Sequence, residues 1–315
     1  MVYRGGIMKK FLFFNVFIFL FSALWAQNYY SNTPPPSFSY DPFATTFSTG
    51  SISARLTTAS TKDRYYFWTI AQAPGSRYLV SGSYQVPVSF YKSGVTPLEE
   101  IKTGAGAGLS YADVLWGYFP KGTIGIKSHA FDIIPFQGSI VPANTYTGTF
   151  TFGFYRGTPG TNRTLQKNTN ITMTMVVPAR GDISIVTTSQ AFNVASTNLD
   201  IDFTDTVTGR ILSNTTKTFD VVVKSNRNYN LSVSTTSQSN LINQTKPSEK
   251  IPYVFVFDGT GYSLNTVSTT LKSNQPWTSA GESRFACSIN TGIFDDFDVE
   301  PGLYRDTLTF TLSVL

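Results

Sequence analysis

The sequence predicts an all-β protein. Tyr and Phe are abundant, with 17 and 26 copies among 315 residues, and aromatic and β-branched side chains suit a pleated, half-buried surface. Short strand-like runs recur between Gly, Pro and Asn, and no long apolar stripe of helical period appears. This spacing is typical of β-sandwiches, and the length suffices for two domains. We therefore expect two immunoglobulin-like sandwiches in tandem.

The clearest single strand is the last one. Its apolar residues alternate with Thr and Ser, which is the period of a strand with one buried face. The turn signal Pro301-Gly302 precedes it. The apolar positions are Leu308, Phe310, Leu312 and Val314.

A similar strand occurs earlier, where Tyr146, Phe150 and Phe152 share one parity. Further marks recur in the same order: Val86-Pro87 matches Ile251-Pro252, and Trp116 matches Trp277. Such recurrence indicates an internal repeat. It predicts an N-terminal sandwich over 51–178 and a C-terminal sandwich over 179–315.

The start of the chain has the features of an export signal. Lys9-Lys10 precedes the apolar run 11–20, and the small residue Ala26 marks the expected cleavage point. A membrane helix is the alternative, but the apolar run is short for one. We predict a signal peptide over 1–26, transit through the periplasm, and a final place at the cell surface. Met8 is an alternative start to Met1.

Residues 27–50 form a Pro- and aromatic-rich segment, which we term the leader. The triplet Pro34-Pro35-Pro36 cannot donate hydrogen bonds to a sheet, so an extended leader is expected.

Charge excludes one class of partner. The formal net charge is +5, but residues 1–26 contain Arg4, Lys9 and Lys10 and no acid. The remainder holds 21 basic and 19 acidic residues, a balance of +2. That value does not favour nucleic acid.

No catalytic set is visible, and no enzyme activity or cofactor is predicted. His129 is the only histidine, so we expect a structural role for it. Asp295, Asp296, Asp298 and Glu300 could bind a hard cation through oxygen, but an acidic turn is favoured and no metal site is predicted. Cys287 is the only cysteine, and a buried position is favoured over pairing with another molecule.

The ending EPGLYRDTLTFTLSVL resembles the closing motif of the spore coat protein U domain, a family that includes subunits of archaic chaperone–usher pili. Leu303 stands where the family usually has Thr, and Trp116-Gly117 resembles the family's Trp-Gly. The family usually carries a disulfide, which a chain with one cysteine cannot form within itself. The matching positions are Gly302, Tyr304, Asp306, Thr307, Thr309 and Thr311.

The resemblance implies a sandwich that lacks its last strand and is completed by a strand from another pilus subunit. A periplasmic chaperone and an outer-membrane usher would be the further partners. The residues agree: the run 169–178 can serve as a last strand for the first copy, and the second copy has no counterpart. The strand with Leu308, Phe310, Leu312 and Val314 is thus the expected acceptor edge.

A stretch of three aromatics, Trp116, Tyr118 and Phe119, is the candidate surface-binding site, since exposed apolar patches mark interaction. The match of Trp116 to Trp277 favours a buried Trp116, whereas for Tyr118 and Phe119 burial and exposure are equally favoured. The leading hypothesis is a pilus tip adhesin, whose ligand the sequence does not identify. The alternative is a self-contained envelope or coat protein. A carbohydrate-acting enzyme is a third, weaker candidate.

Overall fold

The structure, a computed structural model, describes residues 37–44, 48–104, 108–136, 139–265, 267–295 and 299–315. The expected signal peptide and the leader up to residue 36 lie outside these ranges. Within them, no helix has the length and hydropathy that crossing a membrane requires. Almost every regular element is a β-strand, so the all-β prediction is confirmed.

The described residues form two compact units. The N-terminal unit contains 37–40, 48–136 and 145–176, and the C-terminal unit contains 41–44, 139–144 and 177–315, each apart from the gaps given above. The segments 41–44 and 139–144 belong with the second unit because they bond to its residues. Asp41 pairs with Arg180 at 3.6 Å, and the Ala143 amide donates to the Asn226 carbonyl.

In the N-terminal unit, β5 links two layers. Its first half pairs with β4 and its second half with β7, and the change of partner occurs at Pro87-Val88. Strand β3 pairs with both β6 and β8. The strands are β1 (Ser37–Ser39), β2 (Ser48–Leu56), β3 (Arg64–Ile70), β4 (Tyr78–Ser81), β5 (Tyr84–Lys92), β6 (Leu115–Phe119), β7 (Gly125–Pro135), β8 (Asn144–Thr158) and β9 (Thr161–Val177).

The core of this unit lies between those layers. Phe90 on β5 contacts the rings of Phe131, Phe150 and Phe152 at 4.9–6.0 Å. Strand β9 pairs with β8 and covers its edge. The predicted closing strand is therefore confirmed, and its inward residues Ile171, Met173, Met175 and Val177 are buried.

Where it is described, the leader contains an extended strand as expected, but it pairs with the N-terminal unit, which begins before residue 51. Ser37–Ser39 pairs in parallel with β9, and β2 already begins at Ser48. Tyr40 is buried, and its amide donates to the Val176 carbonyl at 2.9 Å. Aromatic residues of the leader thus find apolar cover on the N-terminal unit.

The C-terminal unit is a sandwich of a larger and a smaller sheet. The larger has the order β10-β11-β17-β14-β13-β18, with β15 beside β14, and the smaller has the order β16-β12-β19. One apolar core takes residues from both sheets, among them Phe219, Leu231 and Phe255. The strands are β10 (Gly181–Thr187), β11 (Thr216–Ser225), β12 (Tyr229–Thr235), β13 (Asn240–Asn243), β14 (Lys250–Phe257), β15 (Thr260–Tyr262), β16 (Thr269–Gln275), β17 (Ser283–Thr291), β18 (Tyr304–Arg305) and β19 (Leu308–Val314).

The strand pairing of one unit repeats in the other. Strand β14 changes partner from β13 to β17 at Pro252-Tyr253, as β5 does at Pro87-Val88. Strand β12 pairs with β16 and β19, as β3 pairs with β6 and β8. The internal repeat and the match of the two prolines are thus visible in the fold. The tryptophans do not correspond, because Trp116 lies within β6 and Trp277 follows the end of β16.

The turn 225–228, which resembles a hairpin in sequence, joins two different sheets. Strand β11 pairs with β10 and β17, whereas β12 pairs with β16 and β19. Asn226 is fully buried at this corner. Its side-chain amide donates to the Pro178 carbonyl, and its side-chain oxygen accepts from the Arg180 amide. These bonds replace the ladder that a hairpin would form.

The closing motif forms a hydrogen-bonded corner. The Tyr304 hydroxyl donates to the Glu300 carbonyl at 2.9 Å. The Asp306 carboxylate accepts from the hydroxyls of Tyr253, at 2.6 Å, and of Thr235. Burial, and after it the Asp306 carboxylate, raise the pKa of Tyr253. Asp306 thereby ties the start of β19 to the end of β12 and to β14.

Replacing Asp306 by Ala is expected to lower the free energy of unfolding by about 3 kcal/mol, because buried hydroxyls lose a charged acceptor. Chemical denaturation of the full chain measures this. Asp200→Ala, at an exposed carboxylate of the same unit, is the control and should change little. In a double-mutant cycle Tyr253→Phe should recover part of the loss. Equal effects of the two Asp→Ala changes would contradict the assigned role.

Candidate functional site

The last strand, β19, lies at the edge of its sheet. It pairs along its whole length with β12, from Leu308 opposite Thr235 to Val314 opposite Tyr229. Among the described residues no strand pairs with its other side. An edge of this kind presents unpaired backbone N–H and C=O groups.

The apolar side chains of β19 are only partly covered. Leu308, Phe310 and Leu312 pack against the core of the C-terminal unit but are only partly buried. The rings of Phe219 and Phe255 lie 6.3 and 6.0 Å from that of Phe310. The apolar positions thus face inward, as the alternation predicted, without a full set of neighbours.

The equivalent strand of the N-terminal unit shows what is missing. Strand β8 pairs with β3 as β19 pairs with β12, but β8 also has β9 on its other side. Its inward residues Tyr146, Phe150 and Phe152 are at most 2% exposed. A neighbouring strand therefore accounts for the difference in burial between the two units.

Strand β10, at the edge of the larger sheet, forms the other side of this opening. Ile183 and Ile185 pack partly buried against the same core. At one end the two edges meet: a Cβ on Gly181 would lie 2.5 Å from Cγ2 of Val314, so any larger residue there would displace the Val314 side chain. We call the opening between β10 and β19 the β19 groove, lined by Ile183, Ile185, Leu308, Phe310 and Leu312.

On the β10 side of the groove, some polar groups already have hydrogen-bond partners. The Ile185 amide donates to the Ser196 carbonyl at 2.9 Å, and the Ser184 hydroxyl donates to the Asn193 carbonyl at 2.9 Å. Strand β19 has no such cover among the described residues. The free hydrogen-bonding capacity of the groove is therefore concentrated on β19.

The second candidate site, Trp116 with Tyr118 and Phe119, lies within the strand β6. Within β6 the residues alternate, so Trp116 and Tyr118 point outward, each 39% exposed, and Phe119 points inward and is buried. The expectation of a buried Trp116 is wrong, and so is Phe119 as a surface residue. The reason is parity: Gly117, not Trp116, packs inward against Tyr66.

Sequence analysis missed three residues beside this surface. Tyr65 stacks on Tyr118 with centroids 5.4 Å apart, and Tyr111 contacts Trp116 at 4.6 Å. The Lys127 ammonium lies 5.1 Å from the Tyr118 ring centroid. Pairing of 64–68 with 115–119 would have indicated Tyr65, but alternation within one strand does not identify its partner.

The residues considered for chemistry occupy structural positions. His129 bonds to the Tyr66 hydroxyl at 3.0 Å, and burial, followed by the charge of Lys127, lowers the pKa of His129. Burial raises the pKa of the Cys287 thiol to about 12, which disfavours a reactive thiolate. The imidazole and the thiol are thus held in neutral forms.

The acidic turn is described in part. Asp296 and Asp298 lie outside the described residues, and Glu300 pairs with Lys246 at 2.7 Å. In the ranges that the structure covers, no group of three or more His, Cys, Asp or Glu could hold a metal ion.

No protein-family model matches the chain. No curated protein matches it either. Among solved structures, a chain from the complex of the chaperone CsuC with the tip adhesion subunit CsuE of the archaic chaperone–usher Csu pili of Acinetobacter baumannii is similar at a TM-score of 0.45. It is 11% identical, and the match covers 89% of this chain and 99% of that one.

Two further solved structures are similar over most of their length. CfaE, the adhesive subunit of the CFA/I fimbria of enterotoxigenic Escherichia coli, is 11% identical at a TM-score of 0.33, covering 92% of this chain and 94% of that one. The CupB6 tip adhesin of Pseudomonas aeruginosa is 9% identical at a TM-score of 0.34, covering 91% and 95%.

Proposed function

We propose that this chain is an exported, non-enzymatic subunit of a surface pilus of the chaperone–usher type, and that its C-terminal unit is completed by a strand donated by another subunit. The observation that carries the proposal is the edge of β19, with which no strand in the described ranges pairs. The same position in the N-terminal unit is filled by β9, a strand of the chain itself.

The chemistry of the groove suits strand addition. A donor with alternating apolar residues would place them against Leu308, Phe310 and Leu312 while its backbone pairs with β19. Each backbone hydrogen bond formed contributes about 1 kcal/mol net, and each large apolar side chain that becomes buried contributes about 1.5–3 kcal/mol. The groove binds through shape and hydrogen bonds, so it needs no catalytic group.

An open groove of this kind has a consequence for export. An uncovered apolar edge pairs with other chains and promotes aggregation. A periplasmic chaperone that covers β19 until assembly, and an outer-membrane usher that exchanges it for a donor strand, would prevent this. The proposed route is cleavage after Ala26, passage through the periplasm and display on the fimbrium.

Placement at the tip is supported by the N-terminal segment. A shaft subunit needs a free N-terminal strand to donate, but Ser37–Ser39 pairs with β9 and Tyr40 is buried in the N-terminal unit. The residues before them include the triplet 34–36 of prolines, which cannot donate hydrogen bonds. The chain thus has an acceptor groove and a poor donor, and we place the N-terminal unit outermost, as the adhesive unit.

The proposed groove can be filled from within the chain. Appending a second copy of 158–177 after Leu315 should supply the absent neighbour, as β9 does for β8, and raise the free energy of unfolding by at least about 3 kcal/mol. Thermal and chemical unfolding of the purified full chain measure the gain.

The matched control carries Ser in the appended copy in place of Ile171, Met173, Met175 and Val177. It keeps the backbone but removes the apolar face, so it should stabilise little. Equal free energies of unfolding for both versions and for the unmodified chain would contradict the proposal that the groove accepts a strand. In that case the self-contained envelope or coat protein becomes the better reading.

Tip placement is tested by deleting residues 28–36, which leaves β1 and Tyr40 intact. In cells that hold the chaperone and usher, we expect fibres of normal number and length, with the chain detected at fibre ends by immunogold labelling. Loss of fibres, while the truncated chain is still folded and exported, would show that the segment is a donor and that the tip placement is wrong.

A further inference from the structure

We propose that the outer face of β3 and β6 binds an acidic polysaccharide by stacking sugar rings on aromatic side chains. The inference rests on the proposed function as an adhesive subunit and assigns the class of its ligand. We call this surface the aromatic face, defined by Tyr65, Tyr111, Trp116 and Tyr118.

The four rings lie close together because of strand register. Tyr65 is directly opposite Tyr118, and Phe67 is directly opposite Trp116. Tyr118 and Trp116 are two positions apart on β6, so both side chains emerge on one side of the sheet, about 7 Å apart. Tyr111 adds a ring beside Trp116 at 4.6 Å. All four are between 37% and 40% exposed.

The rings are supported from one side by a buried cluster on the same side of the sheet. Phe67, opposite Trp116, and Tyr155, opposite Phe67, stack nearly parallel, 5.0 Å apart, and pack with Val114 and Leu109. The segment that carries Tyr111 is fixed by a capping box between Ser110 and Asp113. The exposed faces are therefore ordered before a ligand arrives, which reduces the entropy lost on binding.

Exposed, immobilised aromatic rings suit a pyranose. The face of an aromatic ring carries negative charge density, and the C–H groups on one face of a sugar ring carry partial positive charge. A row of rings can hold successive sugars of a chain, while the hydroxyl groups stay in water. Tyr and Trp are also the side chains that most often carry binding energy at exposed sites.

Charge selects an acidic polysaccharide over a neutral one. The Lys127 ammonium lies over the Tyr118 ring, with its nitrogen 5.1 Å from the ring centroid. Lys121 follows β6 in the next turn. Two acids lie near this surface. Asp63 accepts a hydrogen bond from the Lys121 amide, and Asp113 pairs with Lys102 at 2.6 Å. Lys102, Lys121 and Lys127 thus outnumber the two acids, and this positive balance favours a chain of carboxylates over a cationic ligand.

Binding of the full mature chain to immobilised polygalacturonate tests the proposal, with the methyl-esterified polymer as the uncharged comparison. We expect binding to the acid form and binding that is at least tenfold weaker to the ester. Trp116→Ala and Tyr118→Ala should each weaken binding about tenfold. Lys127→Gln should weaken binding at low salt and reduce its salt dependence.

Matched controls separate this face from a general effect. Tyr84→Ala removes an equally exposed ring of the same unit, 42% exposed, and Lys217→Gln removes an exposed charge of the other unit. Both should bind as the unmodified chain does. Tyr118→Phe keeps the stacking ring and should retain most of the affinity, and unchanged unfolding curves show that each variant is folded.

Three results would overturn the inference. They are no binding to polygalacturonate, equal binding to its ester, and losses of the same size in the Tyr84→Ala control. Attachment to polystyrene that is lost in the Trp116 and Tyr118 variants, without polymer binding, would assign the face to apolar surfaces instead. None of these results affects the appended-strand test, so the proposals for the groove and for the aromatic face can be contradicted independently.

Discussion

The C-terminal unit depends on one constraint, which is that a strand at the edge of a sheet leaves backbone groups unpaired and apolar side chains partly uncovered unless another strand pairs with it. In the N-terminal unit β9 satisfies it, and the inward rings of β8 are buried as a result. In the C-terminal unit β19 pairs with β12 on one side, as β8 pairs with β3. On its other side no strand among the described residues pairs with it. The partial exposure of Leu308, Phe310 and Leu312 follows from that single difference.

The open edge is nevertheless held in place, because contacts on its closed side are strong. Asp306 joins the start of β19 to Tyr253 and Thr235, and Gly181 allows β10 to approach its far end closely. Pairing with β12 runs along the whole strand. The closed side of β19 is thus fixed at both ends of the strand.

The two candidate sites use different chemistry. The β19 groove offers backbone hydrogen bonds and apolar pockets, which suit a strand of defined alternation. The aromatic face offers flat rings and positive charge on a rigid support. His129, bonded to Tyr66, and Cys287, which is buried, lie outside both sites in structural positions.

Sequence alone determined the all-β class, the repeat through Pro87 and Pro252, and the inward parity of β19, because alternation and proline act over a few residues. Only tertiary structure decided which strands are neighbours. It turned the apparent hairpin at 225–228 into a corner between sheets, placed Trp116 outside and Phe119 inside, and brought Tyr65 beside Tyr118. The physical reason is that alternation assigns a residue to a face, whereas burial depends on what the rest of the chain places against that face.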